Sequence, residues 1–205
     1  MVGPEFLRPG DSRDIFVVSF ELEKDQYLKI KPLYEALYAD LVQDNWEDPL
    51  GGDKFESLYW EKINMNAMKE HNIWWRCVKY PLGKDKKNMS YVRYALKVDF
   101  QTLAVNPTEI AYKNKKANVE RADFILRMWF WVQWDWGDRF KNSTVKQFEN
   151  LFRKKLYKQE IEQHKTNLYN FAQKLRQFVK DYLDMAEEGQ RPRLFHPEGG
   201  YKDQF

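Results

Sequence analysis

Few side chains in this sequence have the types and spacing that metal binding or catalysis requires. His71, His164 and His196 are far apart, and none has the short spacing to a cysteine or a second histidine that zinc ligands show. The single cysteine, Cys77, excludes an internal disulfide and a cysteine-based zinc site. The sequence has no G-x-S-x-G motif and no glycine-rich phosphate loop. We therefore expect no metal, no cofactor and no assignable catalytic residue.

Carboxylates are the remaining groups that could perform acid–base chemistry. Glu56, Glu61, Asp99 and Asp135 fall in predicted strands, where they could approach one another. Carboxylates on a sheet more often pair with neighbouring arginine and lysine side chains. The sequence therefore favours a protein that is not an enzyme, and an enzyme remains the less favoured alternative.

The segment FILRMWFWVQWDW, residues 124–136, alternates between two faces of a predicted strand. One face carries Phe124, Leu126, Met128, Phe130, Val132 and Trp134, and it is typical of a core. The other face carries Ile125, Arg127, Trp129, Trp131 and Gln133. Because this second face mixes tryptophan with arginine, it must be covered by other parts of the protein or used for recognition.

The elements that position these residues follow from the period of the apolar side chains. Residues 14–22 form a β-rich run, and Ile30, Leu33, Leu37 and Leu41 then have helical spacing. Pro49, Gly51 and Gly52 predict a loop. Strand-like runs follow at 55–64, 72–80, 91–105, 109–112 and 122–136, with turn-like polar residues between them, among them Asn106-Pro107. Connections this short predict an antiparallel meander.

Helical periodicity returns after Gly137. Thr144 and Gln147 have the spacing of a capping box, which predicts a helix start at Thr144. A continuous helix of about 45 residues would be ~65 to 70 Å long, so we expect a kink or a second helix start near Thr166 or Asn167, with a projecting helix as the alternative.

The predicted fold class is therefore α+β, with an antiparallel sheet of five to six strands packed on a long C-terminal helix. Residues 1–13 are predicted to be a tag or disordered linker, and residues 14–188 a single domain. Within it, the sheet and first helix occupy 14–140 and the C-terminal helical region 144–188, and 189–205 form an irregular tail. No run approaches the ~18 apolar residues of a membrane span, which together with the single cysteine predicts a soluble cytoplasmic protein.

The order of strand, helix, meander and long C-terminal helix resembles the helix-grip fold of the START, Bet v 1 and polyketide-cyclase superfamily. The resemblance covers about Asp14 to Glu188 and rests on element order; an unrelated α+β fold with this order is the alternative. It implies a curved sheet that wraps the last helix around an apolar cavity, and it implies binding of a lipid, a sterol-like or another apolar molecule.

The strand alternation selects the residues that would line such a cavity. Flat rings are bulky and leave cavities more easily than aliphatic side chains, and aromatic residues make up 17% of the chain. A fully packed core without a ligand is the competing interpretation. The predicted lining residues are Trp75, Tyr94, Leu96, Phe100, Met128, Phe130, Phe171, Leu175 and Phe178.

The outer face of the sheet suggests a second kind of function. Trp74, Arg76, Arg127, Trp129 and Trp131 are expected there, together with Tyr80, Arg93 and Lys97. Rings beside guanidinium groups are typical of single-stranded nucleic-acid platforms, of protein interfaces and of purely structural cation–π contacts. The net charge of +3 is too small to favour nucleic acid, so a protein partner ranks above it.

Two lysine-rich turns complete the predicted sites. Lys84, Lys86 and Lys87 lie in one turn, and Lys113, Lys115 and Lys116 lie in another. Because alternate turns of a meander meet at one end of the sheet, we expect the two turns to be neighbours that attract an anion or an acidic membrane surface. Solubilising loop tips are the alternative.

Overall fold

The computed structural model describes residues 6–8, 11–64, 68–83, 90–112, 115–137, 155 and 157–190. These residues contain five strands and two helices. The elements are, in chain order, β1 (Asp14–Leu28), α1 (Ile30–Gln43), β2 (Glu56–Ile63), β3 (Lys69–Lys79), β4 (Val92–Tyr112), β5 (Lys115–Trp134) and α2 (Lys158–Gln190).

The strands form one antiparallel sheet in the order β1-β5-β4-β3-β2. Strands β2 to β5 pair in sequence order, as short connections require, and β1 returns to pair with β5 at the opposite edge. The predicted α+β class, with an antiparallel sheet against a long C-terminal helix, is confirmed.

The predicted turn at Asn106-Pro107 is wrong. The runs 91–105 and 109–112 are parts of one 21-residue strand, β4, with a register shift between Leu103 and Asn106. Ala104 has a φ of 52° at this bulge. Pro107 pairs with Glu120 of β5 at a position beyond the last β3 partner, Val105. Because β4 is locally an edge strand there, the missing proline N–H is tolerated.

The inner face of the sheet is the core, as the alternation predicts. The β5 residues Phe124, Leu126, Met128, Phe130, Val132 and Trp134 are all buried, and so are the even-numbered residues of β4 from Val92 to Phe100. Helix α1 buries Leu33, Leu37 and Leu41, which lie on one face at a spacing of four. Helix α2 packs mainly against β1, β5 and β4.

The second helix start predicted near Thr166 or Asn167 is also wrong, and the kink predicted there as its alternative stays a prediction. Helix α2 runs through both positions without interruption over 33 residues, a length of about 50 Å. The Thr166 hydroxyl donates to the carbonyl of Glu162 at 3.0 Å, which accommodates its polar side chain inside the helix. The predicted start at Thr144 lies outside the described residues. Within the described chain, neither helix combines the length and apolarity needed to cross a membrane.

Part of the segment predicted to be a tag or linker contacts the sheet. The Arg8 guanidinium lies 2.7 Å from the Asp14 carboxylate and donates to the carbonyl of Trp134 at 3.2 Å. The side-chain amide of Gln133 donates to the carbonyl of Phe6 at 2.9 Å. The described residues of this segment therefore cover the outer face at the end of β5.

Candidate ligand-binding cleft

The residues predicted to line a cavity lie together, but mostly as packed core. Trp75, Tyr94, Leu96, Phe100, Met128, Phe130 and Leu175 are buried, and Phe171 and Phe178 are half-buried. The ring centroids of Trp75 and Phe100 are 4.7 Å apart, and those of Phe130 and Phe171 are 6.3 Å apart. Phe171, Leu175 and Phe178 also line a groove of about 550 Å³ between α2 and the end of α1.

A separate cleft of about 310 Å³ lies between the N-terminal half of α1 and the inner face of the sheet. Helix α1, strands β2 and β3 and the root of the β4–β5 hairpin each contribute to its walls. The lining residues are Ile30, Lys31, Tyr34, Glu35, Glu56, Tyr59, His71, Ile73 and Glu120. Of these, the strand alternation predicts only Ile73 to face inward, and the others are not among the predicted lining residues.

The apolar part of the cleft is held by the core beneath it. Ile30 and Tyr34 are four residues apart on one face of α1, and Tyr59 pairs with Ile73 across β2 and β3. The indole Nε1–H of Trp75 donates to the Tyr34 hydroxyl at 3.2 Å, and the two ring centroids are 4.7 Å apart. Because Trp75 is fully buried, this contact fixes the tyrosine wall to the sheet.

His71 is oriented by two neighbours. Its Nδ1 is 2.8 Å from the Thr102 hydroxyl oxygen, and its Nε2 is 3.6 Å from a Glu61 carboxylate oxygen. With Nε2 protonated, Thr102 donates to Nδ1 and the Nε2–H faces Glu61. The series of carboxylate, imidazole and hydroxyl has the order of a hydrolase triad. However, Thr102 is buried and its oxygen also accepts the backbone N–H of His71, so the hydroxyl does not face the cleft.

Carboxylates dominate the charge of the lining. Among the described lining residues, Glu35, Glu56 and Glu120 face a single cation, Lys31, whose ammonium lies 3.8 Å from Glu35. In the described part of the chain, neither Glu56 nor Glu120 has a cationic group within 4.0 Å. Burial raises the pKa of Tyr59, and the charges of Glu61 and Glu56 raise it further. The cleft therefore has a negative rim around an apolar floor.

Comparison with known proteins gives no match to a family model, a curated protein or a solved structure. The geometry of the chain itself must therefore indicate the function.

The predicted outer-face residues are on the outer face, but most of their charges are paired. Arg76 lies 3.0 Å from Asp99 and 5.6 Å from the Trp74 ring centroid. The Lys97 ammonium is 3.1 Å from Asp99 and 4.5 Å from the centroid of Trp129. Arg127 forms an ion pair with Glu21 at 2.6 Å, and Trp131 contacts Phe16 edge-on at 6.1 Å. The rings and cations of this face therefore mainly contact one another and neighbouring carboxylates.

Two residues expected on the exposed outer face are buried. Arg93 is 1% exposed and Tyr80 is 6% exposed, and both contact the ring of Trp136. The Arg93 Nε–H also donates to the Gln133 side chain at 2.7 Å. Neither residue is therefore accessible to a partner.

An apolar patch remains exposed at the β2 edge of the same face. Leu58 pairs with Trp74, and Trp60 lies two residues further along β2 on the same side. Their exposures are 36% for Leu58, 42% for Trp60 and 42% for Trp74. Every residue of β2 is exposed, as expected of an edge strand. Sequence alternation alone did not assign this strand to an edge.

The expectation that the two lysine turns are neighbours is wrong. The turn after β3 enters β4 at Val92, whereas the turn before β5 leaves β4 at Tyr112. Because β4 is continuous, the two turns lie at opposite ends of a strand about 66 Å long. Lys84, Lys86, Lys87 and Lys113 lie outside the described residues, and Lys115 and Lys116 are the first residues of β5.

The carboxylates considered for acid–base chemistry are dispersed. Glu56 and Glu61 lie on β2 beside the cleft, Asp99 pairs with two cations on the outer face, and buried Asp135 lies 3.6 Å from Arg13. Within the described ranges, no group of three or more His, Cys, Asp or Glu side chains is arranged to bind a metal. Sequence reasoning missed Tyr34, Tyr59, His71 and Glu120 as site residues, because they meet only through strand pairing and the packing of α1 on the sheet.

Proposed function

We propose that this protein binds a small amphipathic molecule without catalysis, in the cleft between α1 and the inner face of the sheet. The observation that carries the proposal is the combination of a volume of about 310 Å³ with an apolar floor and a polar rim. Pockets for small molecules have this character, with apolar walls and a few polar groups that orient the ligand. The resemblance to the helix-grip superfamily supports the binding of an apolar molecule on the inner face of the sheet, although it implies a cavity against the last helix, and the cleft lies against α1 instead.

The wall contacts support a preformed site. Tyr34 is held by the buried Trp75, and His71 is held by Thr102 and Glu61. Side chains that are already oriented lose little conformational freedom when a ligand binds, which favours affinity. The ligand's apolar body would contact Ile30, Tyr34 and Ile73, and its polar end would face the rim.

The experiment is native mass spectrometry of the purified protein, followed by solvent extraction and identification of any released molecule. The blocking variant is Ile30→Trp, because Ile30 is half-buried in the cleft wall and a larger ring there fills the space. Leu58→Trp is the matched control, since it adds a ring of the same size on the outer face. We expect the ligand to be lost from Ile30→Trp and retained by Leu58→Trp. Equal retention by both variants, or no bound molecule and no binding of added amphipathic compounds, would reject the cleft as the site.

A second candidate function is recognition of a protein partner by the exposed patch of Leu58, Trp60 and Trp74. The patch adjoins the outer edge of β2, which pairs with no other described strand and where an extended segment of a partner could add a strand. The paired state of Arg76, Lys97 and Arg127 favours a protein over nucleic acid, because few cations remain for phosphates. Titration with mixed single-stranded oligonucleotides at low salt tests the nucleic-acid version through tryptophan fluorescence. The protein version predicts that Trp60→Lys abolishes partner binding while Tyr169→Lys, at an exposed position on α2, does not.

A further inference from the structure

We propose that the cleft selects amphipathic cations: an amine or quaternary ammonium group carried on a short apolar or aromatic body. This inference rests on the proposed function of the cleft and names the chemical class of its ligand. It follows from the shape of the site, the charges of its rim and the aromatic rings in its walls.

The shape of the cleft separates an apolar end from a charged end. Ile73 is 6% exposed and Tyr34 packs on buried Trp75, so the floor is continuous with the core. Glu35 and Glu56 come from α1 and β2, and Glu120 comes from the root of the β4–β5 hairpin. The carboxylates therefore approach the opening from three different elements. A ligand whose body rests on the floor would place its head among them.

Two of the three rim carboxylates have no ion pair among the residues that the structure describes. Lys31 is the one cation among the lining residues that the structure describes, its side chain is 85% exposed, and its ammonium already faces Glu35. Lys69 lies 3.0 Å from Glu61 and attracts Glu120 only from beyond ion-pair distance. Glu56 and Glu120 therefore remain as carboxylates without a cationic partner within 4.0 Å among the described residues. An anionic ligand would meet repulsion here, whereas a cation would gain two favourable partners.

The aromatic walls favour the same ligand class. Tyr34 and Tyr59 present rings to the cleft from opposite sides, α1 and β2. The face of a tyrosine ring attracts ammonium groups, and sites for quaternary ammonium use such rings. Burial raises the pKa of Tyr59, and the charges of Glu61 and Glu56 raise it further, as the positions of these carboxylates at this wall require. A neutral ligand would use the floor but none of these features.

The test compares three probes that share a benzyl group and differ in the charge of the head: benzyltrimethylammonium, benzyl alcohol and phenylacetate. Each is titrated into the full chain by isothermal calorimetry, at low and at physiological salt. We expect the cation to bind at least roughly tenfold more tightly than benzyl alcohol, phenylacetate to bind most weakly, and added salt to weaken only the cation.

A charge-neutralised variant, Glu56→Gln/Glu120→Gln, should lower the affinity for the cation roughly three- to tenfold and leave benzyl alcohol unchanged. The matched control is Glu23→Gln/Glu70→Gln, which removes the same charge from the outer side of the sheet. Both variants change exposed or half-exposed surface residues, and their thermal unfolding confirms that they fold.

The outcomes separate the two proposals. Equal binding of the cation and benzyl alcohol, both blocked by Ile30→Trp, would overturn the charge selectivity and leave the cleft as a binding site. Equal weakening by the Glu23/Glu70 control would assign the effect to net charge and would also overturn it. Absence of binding by all three probes would overturn both proposals.

Discussion

The hydrogen bond between Tyr34 and Trp75 can be tested by removing one oxygen atom. In Tyr34→Phe the ring that packs at 4.7 Å from Trp75 is retained, but the acceptor of the indole Nε1–H is lost. Trp75 is 0% exposed, so its N–H is left without a partner inside the core. An unsatisfied buried donor costs about 1 to 3 kcal/mol, more than the bond itself contributes on balance.

The expected effect is large enough for a thermal assay. For a protein of about 200 residues, each kcal/mol shifts the midpoint of thermal unfolding by roughly 2 to 4 °C, so Tyr34→Phe should lower it by about 2 to 12 °C. Urea unfolding should show a lower midpoint with an unchanged m-value, because the exposed surface area of the two states is unaltered.

Tyr38→Phe is the matched control. Tyr38 lies one turn further along α1 and also contacts the Trp75 ring, at 6.2 Å, but its hydroxyl donates to the carbonyl of Asp53 at an exposed position. Water replaces that bond in the variant, so its cost should stay below about 0.5 kcal/mol. Equal destabilisation by Tyr34→Phe and Tyr38→Phe would refute the reasoning, since it would mean that water also reaches the Trp75 indole.

Three further predictions concern two residues with shifted pKa values, Asp123 and His164, and one with a positive φ, Ala104. A hydrogen bond with Asp25 and repulsion between the two carboxylates raise the pKa of Asp123. Asp123→Asn should therefore raise the free energy of unfolding at neutral pH by no more than about 0.5 kcal/mol. This gain should shrink in acid, where the pair becomes protonated, and urea unfolding at neutral and at acidic pH measures the difference. Burial lowers the pKa of His164, whose Nδ1 is 2.8 Å from the Tyr94 hydroxyl. The neutral form of His164 therefore contributes its full stability above the unfolded pKa of about 6.5. This stability is lost as the pH falls through the lower pKa of the folded state. Unfolding between about pH 7.5 and pH 5 should therefore depend less on pH in His164→Gln, and an unchanged slope would contradict the assignment. Ala104→Gly should leave the melting temperature unchanged or raise it by an amount equivalent to at most about 1 kcal/mol, because exposed Ala104 has a φ of 52° that glycine adopts without strain; a lower melting temperature would contradict this.

The faces of the sheet could be predicted because β4 and β5 have one side in the core. Apolar and polar side chains therefore alternate along them, and every second residue is buried from Phe124 to Val132 and from Leu96 to Phe100. Helix α1 was predictable for the same reason at a period near four. In each case the burial of a residue follows from the periodicity of the strand or helix that contains it.

The cleft could not be predicted, because no single element contains it. Tyr59 reaches Ile73 only through the register of β2 on β3, and Glu120 reaches the site only through the pairing of β5 with both β1 and β4. Pro107 shows the same limit in another form. A proline lacks a backbone N–H, so it fits either a turn or an edge strand. Which of the two applies at Pro107 depends on β3, whose pairing with β4 stops at Val105.

The length of β4 and β5 divides the sheet into a broad part and a narrow part. The last partner of β3 on β4 is Val105, and the last partner of β1 on β5 is Glu120. Beyond these positions, residues 108–112 and 115–119 pair only with each other among the described residues, as a ribbon about 17 Å long. Ribbons of two strands are marginally stable on their own, so the amide protons there should exchange with solvent sooner than those of the broad part.

Glu120 stands at the boundary between these two parts and also in the wall of the cleft. A ligand that contacts Glu120 would therefore tie the root of the ribbon to α1 and β2, and it would slow opening at a distance from its own atoms. The exchange rate of the ribbon amides would then report whether the cleft is occupied.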